Sequence, residues 1–147
     1  MSARAPRPTR ADFRLFRPIQ TRWSDNDAYG HVNNVVYYEW FDTAVNAWLV
    51  ENGFLDIVNG DVINLVVETS CSYFESISYP EQVDIGVAVE RLGTSSVTYA
   101  LGAFRRGEET AAALGRFTHV AVVRTTQRPT PIAPPLRAAL EGLMRPG

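Results

Sequence analysis

Three features predict an α+β fold in which a curved antiparallel β-sheet wraps around one long central α-helix. One segment carries apolar residues at helical spacing for more than three turns. Most of the chain after it falls into runs of alternating apolar and polar residues, separated by turn formers. No other segment is both long and apolar enough to cover a sheet. A sheet with one solvated face must bury the other, so this helix is expected to lie against it.

Taken in order, Arg17 to Trp23 alternates, with Ile19, Thr21 and Trp23 on one face, and predicts a short strand. The helix is predicted over 35–52, with Tyr37, Trp40, Phe41, Ala44, Val45, Trp48 and Leu49 as its apolar stripe. Asn33 or Asn34 can cap its start, and Gly53 can stop it. Residues 63–70 and 71–78 read as one long strand run bent near Ser70 and Cys71, which Tyr79-Pro80-Glu81 breaks. Residues 82–92 alternate, with Val83, Ile85, Val87 and Val89 on one face. Strands at 95–106 and 110–125 flank Gly107-Glu108-Glu109, a hairpin signal. A proline-rich loop at 128–135 leads to a short helix at 136–144. The Arg-rich residues 1–15 are expected to form a flexible arm, and residues 16–147 a single domain.

Hydrophobic residues make up 46% of the 147 and charged residues 20%, which is globular rather than disordered composition. No apolar run approaches the roughly 18 residues of a membrane span. Cys71 is the only cysteine, which excludes an intramolecular disulfide and a cysteine-based zinc site and fits a cytoplasmic setting. All 14 cations are arginine, and six of them lie within the first 22 residues. Ser24 to Glu90 holds 12 carboxylates and no cation. An acidic folded middle argues against a nucleic-acid partner, and the composition argues against a membrane one.

The densest chemistry lies between the first strand and the helix, in RWSDNDAYGHVNNVVYY, residues 22–38. Asp, Asn and Gly are common where a strand turns into a helix. This stretch also runs into a helix N-terminus, where free N–H groups and the dipole favour negative charge. Asp25, Asp27 and His31 could in principle share a metal. No further ligand cluster accompanies them, and His119 lies far along an alternating strand. G-x-S-x-G, Walker and G-x-G-x-x-G motifs are all absent.

The run Asp25-x-Asp27-x-x-Gly30-His31-x-Asn33-Asn34-x-x-Tyr37 resembles the signature of hotdog-fold acyl-CoA thioesterases, typified by 4-hydroxybenzoyl-CoA thioesterase. RLGTSSVTYALGAF and FTHVAVVRTTQRPTPIAPPLRAAL resemble the family's later strands, proline loop and terminal helix, so the likeness spans residues 16 to 141. It implies that Asp27 is the catalytic carboxylate, attacking the thioester carbonyl directly or activating a water. It implies that the Asn34 backbone N–H contributes to an oxyanion hole, that His31 and Asn33 orient loop or substrate, and that Tyr37 lines the acyl pocket. Asp25 is expected to be structural.

The resemblance also implies sites between subunits of a homodimer or homotetramer, with Glu68, Thr69 and Ser70 facing the acyl group across the interface. Around Arg91, Ser95 and Ser96, where coenzyme A contacts are expected, there is no lysine. Arg105, Arg106, Arg124 or Arg128 could add to them. The implied substrate is an acyl-CoA or acyl-carrier-protein thioester, and no cofactor is implied. The alternatives are a non-catalytic module that binds acyl thioesters and an enoyl-thioester hydratase or dehydratase.

Overall fold

Among the described residues, five strands and two α-helices make up the main regular structure: β1 (Leu15–Gln20), α1 (Asn34–Glu51), β2 (Val62–Tyr73), β3 (Gln82–Leu92), β4 (Ser96–Arg105), β5 (Ala113–Val123) and α2 (Pro134–Glu141). The computed structural model describes residues 6–145. The strands form one sheet in the order β1-β3-β4-β5-β2, with every neighbouring pair antiparallel. This is the predicted α+β architecture, an open antiparallel sheet around a central helix.

The helical stripe and the strand alternation meet in one core. Tyr37, Trp40, Phe41, Ala44, Val45 and Leu49 of α1 pack on Val83, Ile85, Val87 and Val89 of β3 and on Val97, Tyr99 and Leu101 of β4. Burying each of the Val, Leu, Ile and Phe side chains among them contributes about 1.5–3 kcal/mol. Trp48, expected inward, is half-buried at the edge of this core, beside Phe54. At Gly115 of β5 the Phe41 ring lies directly on the strand backbone; a Cβ there would sit 2.3 Å from Phe41 Cε2.

Several boundaries differ from expectation, each for a local reason. β1 ends at Gln20, because residues Trp23–Asp25 turn into a short 3-10 helix. Trp23, predicted to share a strand face with Ile19 and Thr21, instead starts the 3-10 turn and is 80% exposed. The long run at 63–78 ends at Tyr73, where Phe74 and Glu75 both donate their N–H to Ala112 O and close the ladder. Its irregularity is a β-bulge between Val66 and Glu68, rather than a bend at Ser70 and Cys71.

The segment expected to be a free arm is anchored wherever it is described. Phe13 is buried on the outer face of the sheet against Ala88, Ala100, Phe104 and Leu114. Arg10 lies over the Phe16 and Phe104 rings and pairs with Asp84 at 3.1 Å. Arg7 Nε donates to Ala111 O at 2.7 Å. An amphipathic side chain such as arginine can cover apolar surface with its stem and still place its head on an acceptor. Residues 1–5 lie outside the described residues.

Candidate functional site

The loop between the 3-10 turn and α1 is tied down at both ends by Asp25. This residue is buried, and its carboxylate accepts from Arg22 N at 2.7 Å and from the Arg22 guanidinium at 3.0 and 2.8 Å. Its backbone carbonyl accepts from Asn33 N at 2.9 Å. Asp25 is therefore engaged in holding the loop, as expected of a structural residue, and does not share a ligand set with Asp27 and His31. Between these anchors, Asp27 N donates to His31 O and Gly30 N to Asp27 O, a tight turn that needs the positive φ of Gly30. Three further bonds zip the loop to the segment after β2: Val32 N to Ile77 O, Ser78 Oγ to Gly30 O and Tyr79 N to Asn26 Oδ1.

This places Asp27, His31, Asn33, Asn34 and Tyr37 around one cleft of about 550 Å3. Asp27 Oδ1 accepts from Tyr29 N at 2.9 Å, and Oδ2 has no partner among the described residues. Asn33 is the N-cap of α1, its Oδ1 accepting from Val35 N at 3.1 Å. The Asn34 N–H, first of the helix, has no acceptor among the described residues. Asp27, with a carboxylate oxygen unpaired among the described residues, and Asn34, with an unsatisfied helix donor, thus line the same cavity.

The opposite wall comes from the end of β2 and the residues after it: Tyr73, Phe74, Glu75 and Ser76. Tyr73 donates its hydroxyl to Asn34 O at 3.0 Å and meets the Tyr37 ring edge-on at 5.0 Å. Burial pushes the Tyr37 phenol up to about 12, with Cys71 adding to the shift, and raises Tyr73 further still. Burial likewise lifts the Cys71 thiol to about 11. The Tyr37, Tyr73 and Cys71 side chains are therefore uncharged at neutral pH. Glu75 is held below the usual carboxylate range, chiefly by its hydrogen bond to Arg7, with an ion pair to Arg7 at 2.7 Å and one to Arg105 at 3.6 Å.

Other sequence candidates lie elsewhere in the protomer. Glu68, Arg91 and Ser96 line a separate depression together with Glu90, Thr98, Arg116 and Thr118. Thr69 and Ser70 are exposed on β2, and the Ser95 carbonyl accepts from Ala121 N. Arg105 is committed to Glu75 and Glu81, Arg106 to Gln82, and Arg124 to carbonyls of the 56–60 loop. Arg128 is exposed. His119 is sealed between Tyr99 and Phe117, 2% exposed, and burial pushes its pKa down to about 4. Sequence reasoning missed Tyr29 and Val32 of the loop, and also Tyr73, Glu75 and Ser76, which sit inside what reads as an unbroken strand.

The family model of the thioesterase-like superfamily matches residues 21–140. The PA5185 protein of Pseudomonas aeruginosa is 53% identical, with a TM-score of 0.92 over 95% of this chain and 98% of its own. The PA2801 protein of the same organism, a thioesterase by assignment, is 29% identical, with a TM-score of 0.79 over 85% and 96% of the two chains. The DHNA-CoA thioesterase of Staphylococcus aureus shares the fold at 23% identity, with a TM-score of 0.74 over 86% of each chain. The uncharacterized protein YsmA of Bacillus subtilis is 26% identical over 100 residues, 67% of each sequence.

Proposed function

The chain belongs to the thioesterase-like superfamily, and from that premise we propose that it cleaves an acyl-CoA or acyl-carrier-protein thioester with Asp27 as the reacting carboxylate. It is a thioester hydrolase of the hotdog fold; the kind of thioester and the residues that act on it are what we infer. The reading rests on one observation: Asp27, whose Oδ2 is unpartnered among the described residues, and Asn34, whose N–H is unsatisfied among them, line the same cleft.

A thioester carbonyl beside Asp27 can react by either of two routes. Asp27 can take a proton from water as the water oxygen adds to the carbonyl carbon. Alternatively Oδ2 adds directly, and the resulting acyl–aspartyl anhydride is then opened by water. Both routes place negative charge on the carbonyl oxygen, and a donor such as the Asn34 N–H aimed at it stabilises the transition state by up to about 3–4 kcal/mol. Collapse expels the thiol and leaves the free acid. The neutral Tyr37 and Tyr73 rings suit an apolar acyl group, and His31 and Asn33 shape the mouth. In an assembled homodimer or homotetramer, Glu68, Thr69 and Ser70 on the open edge strand β2 would reach the partner's cleft, and Arg91, Ser95 and Ser96 would meet coenzyme A.

Thiol release from a panel of short, long and aryl acyl-CoAs, run on the native protein and on Asp27→Asn, tests this. We expect release from at least one substrate and a drop of at least about a hundredfold in the variant, with its melting temperature kept. Undiminished turnover by a folded Asp27→Asn protein would remove Asp27 from the mechanism.

A further inference from the structure

Asp27 borders two depressions. Beyond the aromatic cleft, a smaller cavity of about 270 Å3 is lined by Trp23, Asn26, Asp27, Ala28 and Gly30. We propose that this second depression holds the pantetheine arm of the departing thiol, packed on the Trp23 indole; the proposal rests on Asp27 being the reacting carboxylate.

A thioester carbon carries two substituents, and a carboxylate that touches that carbon must sit where both depart. The Tyr37–Tyr73 cleft takes the acyl side, because the two rings meet edge-on there, with Phe74 and Val32 beside them, and give it apolar surface. The thiol side must run outward, since its far end is a nucleotide or a whole carrier protein. The second depression meets that need at its Trp23 rim. Trp23 is 80% exposed, yet its ring is fixed edge-on against Tyr79, centroids 5.9 Å apart at 87°. A large, fixed aromatic surface left to water beside a reactive group is the mark of a ligand contact.

The floor fits the arm's chemistry. Ala28 and Gly30 carry little or no side chain, and nothing lies within 4 Å of where a Cβ of Gly30 would point. Asn26 spends its Oδ1 on Tyr79 N, which turns its Nδ2 donor away, with no acceptor among the described residues. Pantetheine alternates amides with methylenes and a dimethyl group, so it offers a carbonyl to such a donor and apolar surface to an indole. The charge layout favours this neutral arm over the phosphates beyond it. Arg22, the cation next to Trp23 in the chain, is already held by Asp25 and Glu39, and no other Lys or Arg occurs up to Glu90.

Hydrolysis by native protein and by Trp23→Ala is compared on four thioesters of one acyl group: acyl-CoA, acyl-pantetheine, acyl-carrier protein and the bare S-ethyl thioester. The expected result is a KM raised about tenfold for the three pantetheine-bearing substrates, with kcat within about twofold and the S-ethyl thioester unaffected. Faster native turnover of acyl-CoA or of acyl-carrier protein than of acyl-pantetheine identifies the source of the arm. An equal loss on the S-ethyl thioester, or no change on any substrate, overturns the proposal. Binding separates this outcome from failure of the Asp27 reading. In a folded Asp27→Asn protein, titration with CoA or pantetheine should quench tryptophan emission, and the quench should vanish when Trp23→Phe is added. A quench that persists in the double variant overturns the proposal whether or not hydrolysis occurs.

Discussion

His119 sits on the core face of β5 with its Nδ1 unpaired and aromatic rings on either side. Burial favours its neutral form, so its folded pKa of about 4 lies below the ordinary 6.5. Between these values the unfolded chain binds a proton that the folded chain refuses. Stability is therefore complete above about pH 6.5 and falls as the pH drops towards 4, by at most about 3 kcal/mol from this residue. Melting temperatures measured across that window should fall more steeply for the native protein than for His119→Leu. Parallel curves would show that another group governs the loss. At this scale Asp27 and Asn33 were legible, because turn and cap chemistry act between near neighbours in the chain. The unpaired state of His119 was not, since it depends on what the neighbouring strand β4 brings against it.

The central helix and β5 constrain one another at a single contact. Gly115 lets the Phe41 ring rest on the strand, and the methyl of Gly115→Ala would meet that ring at 2.3 Å. Overpacking of this kind costs about 1–3 kcal/mol, so the melting temperature should drop. Phe41→Leu made in the Gly115→Ala background should cost less than Phe41→Leu alone, because the ring it removes is the one in conflict; additive losses in the double-mutant cycle would contradict the contact. The helix was readable from its stripe and its Asn33 cap. The extent of β2 was not, because residues 63–78 keep a strand-like pattern past Tyr73, and the paired donation of Phe74 and Glu75 to Ala112 ends the ladder there. That stop turns Tyr73 to Ser76 from strand into cleft wall.

Across the whole molecule, the twelve-residue strand β2 ends the sheet with one side of its backbone unpaired, and Val62, Val66 and Val67 stand exposed along it. A long apolar edge is a template for another strand unless it is covered. A second copy of this chain, paired edge to edge, is the cover we expect. Sedimentation of the native protein should give an oligomer, and Val67→Lys should shift it towards monomer; a monomeric native protein would rule out this cover.

By itself, the sequence determined the fold class and the loop carrying Asp27, because helical periodicity, strand alternation and turn chemistry are local properties of the chain. Tertiary structure alone decided which groups share the cleft. The Tyr73 hydroxyl reaches Asn34 across 39 positions, and Arg105 reaches Glu75 from another strand. It also decided that Trp23 stands exposed beside Asp27 rather than on a strand face with Ile19 and Thr21. These outcomes depend on where the sheet order and the end of β2 put distant residues, and no short-range pattern encodes that.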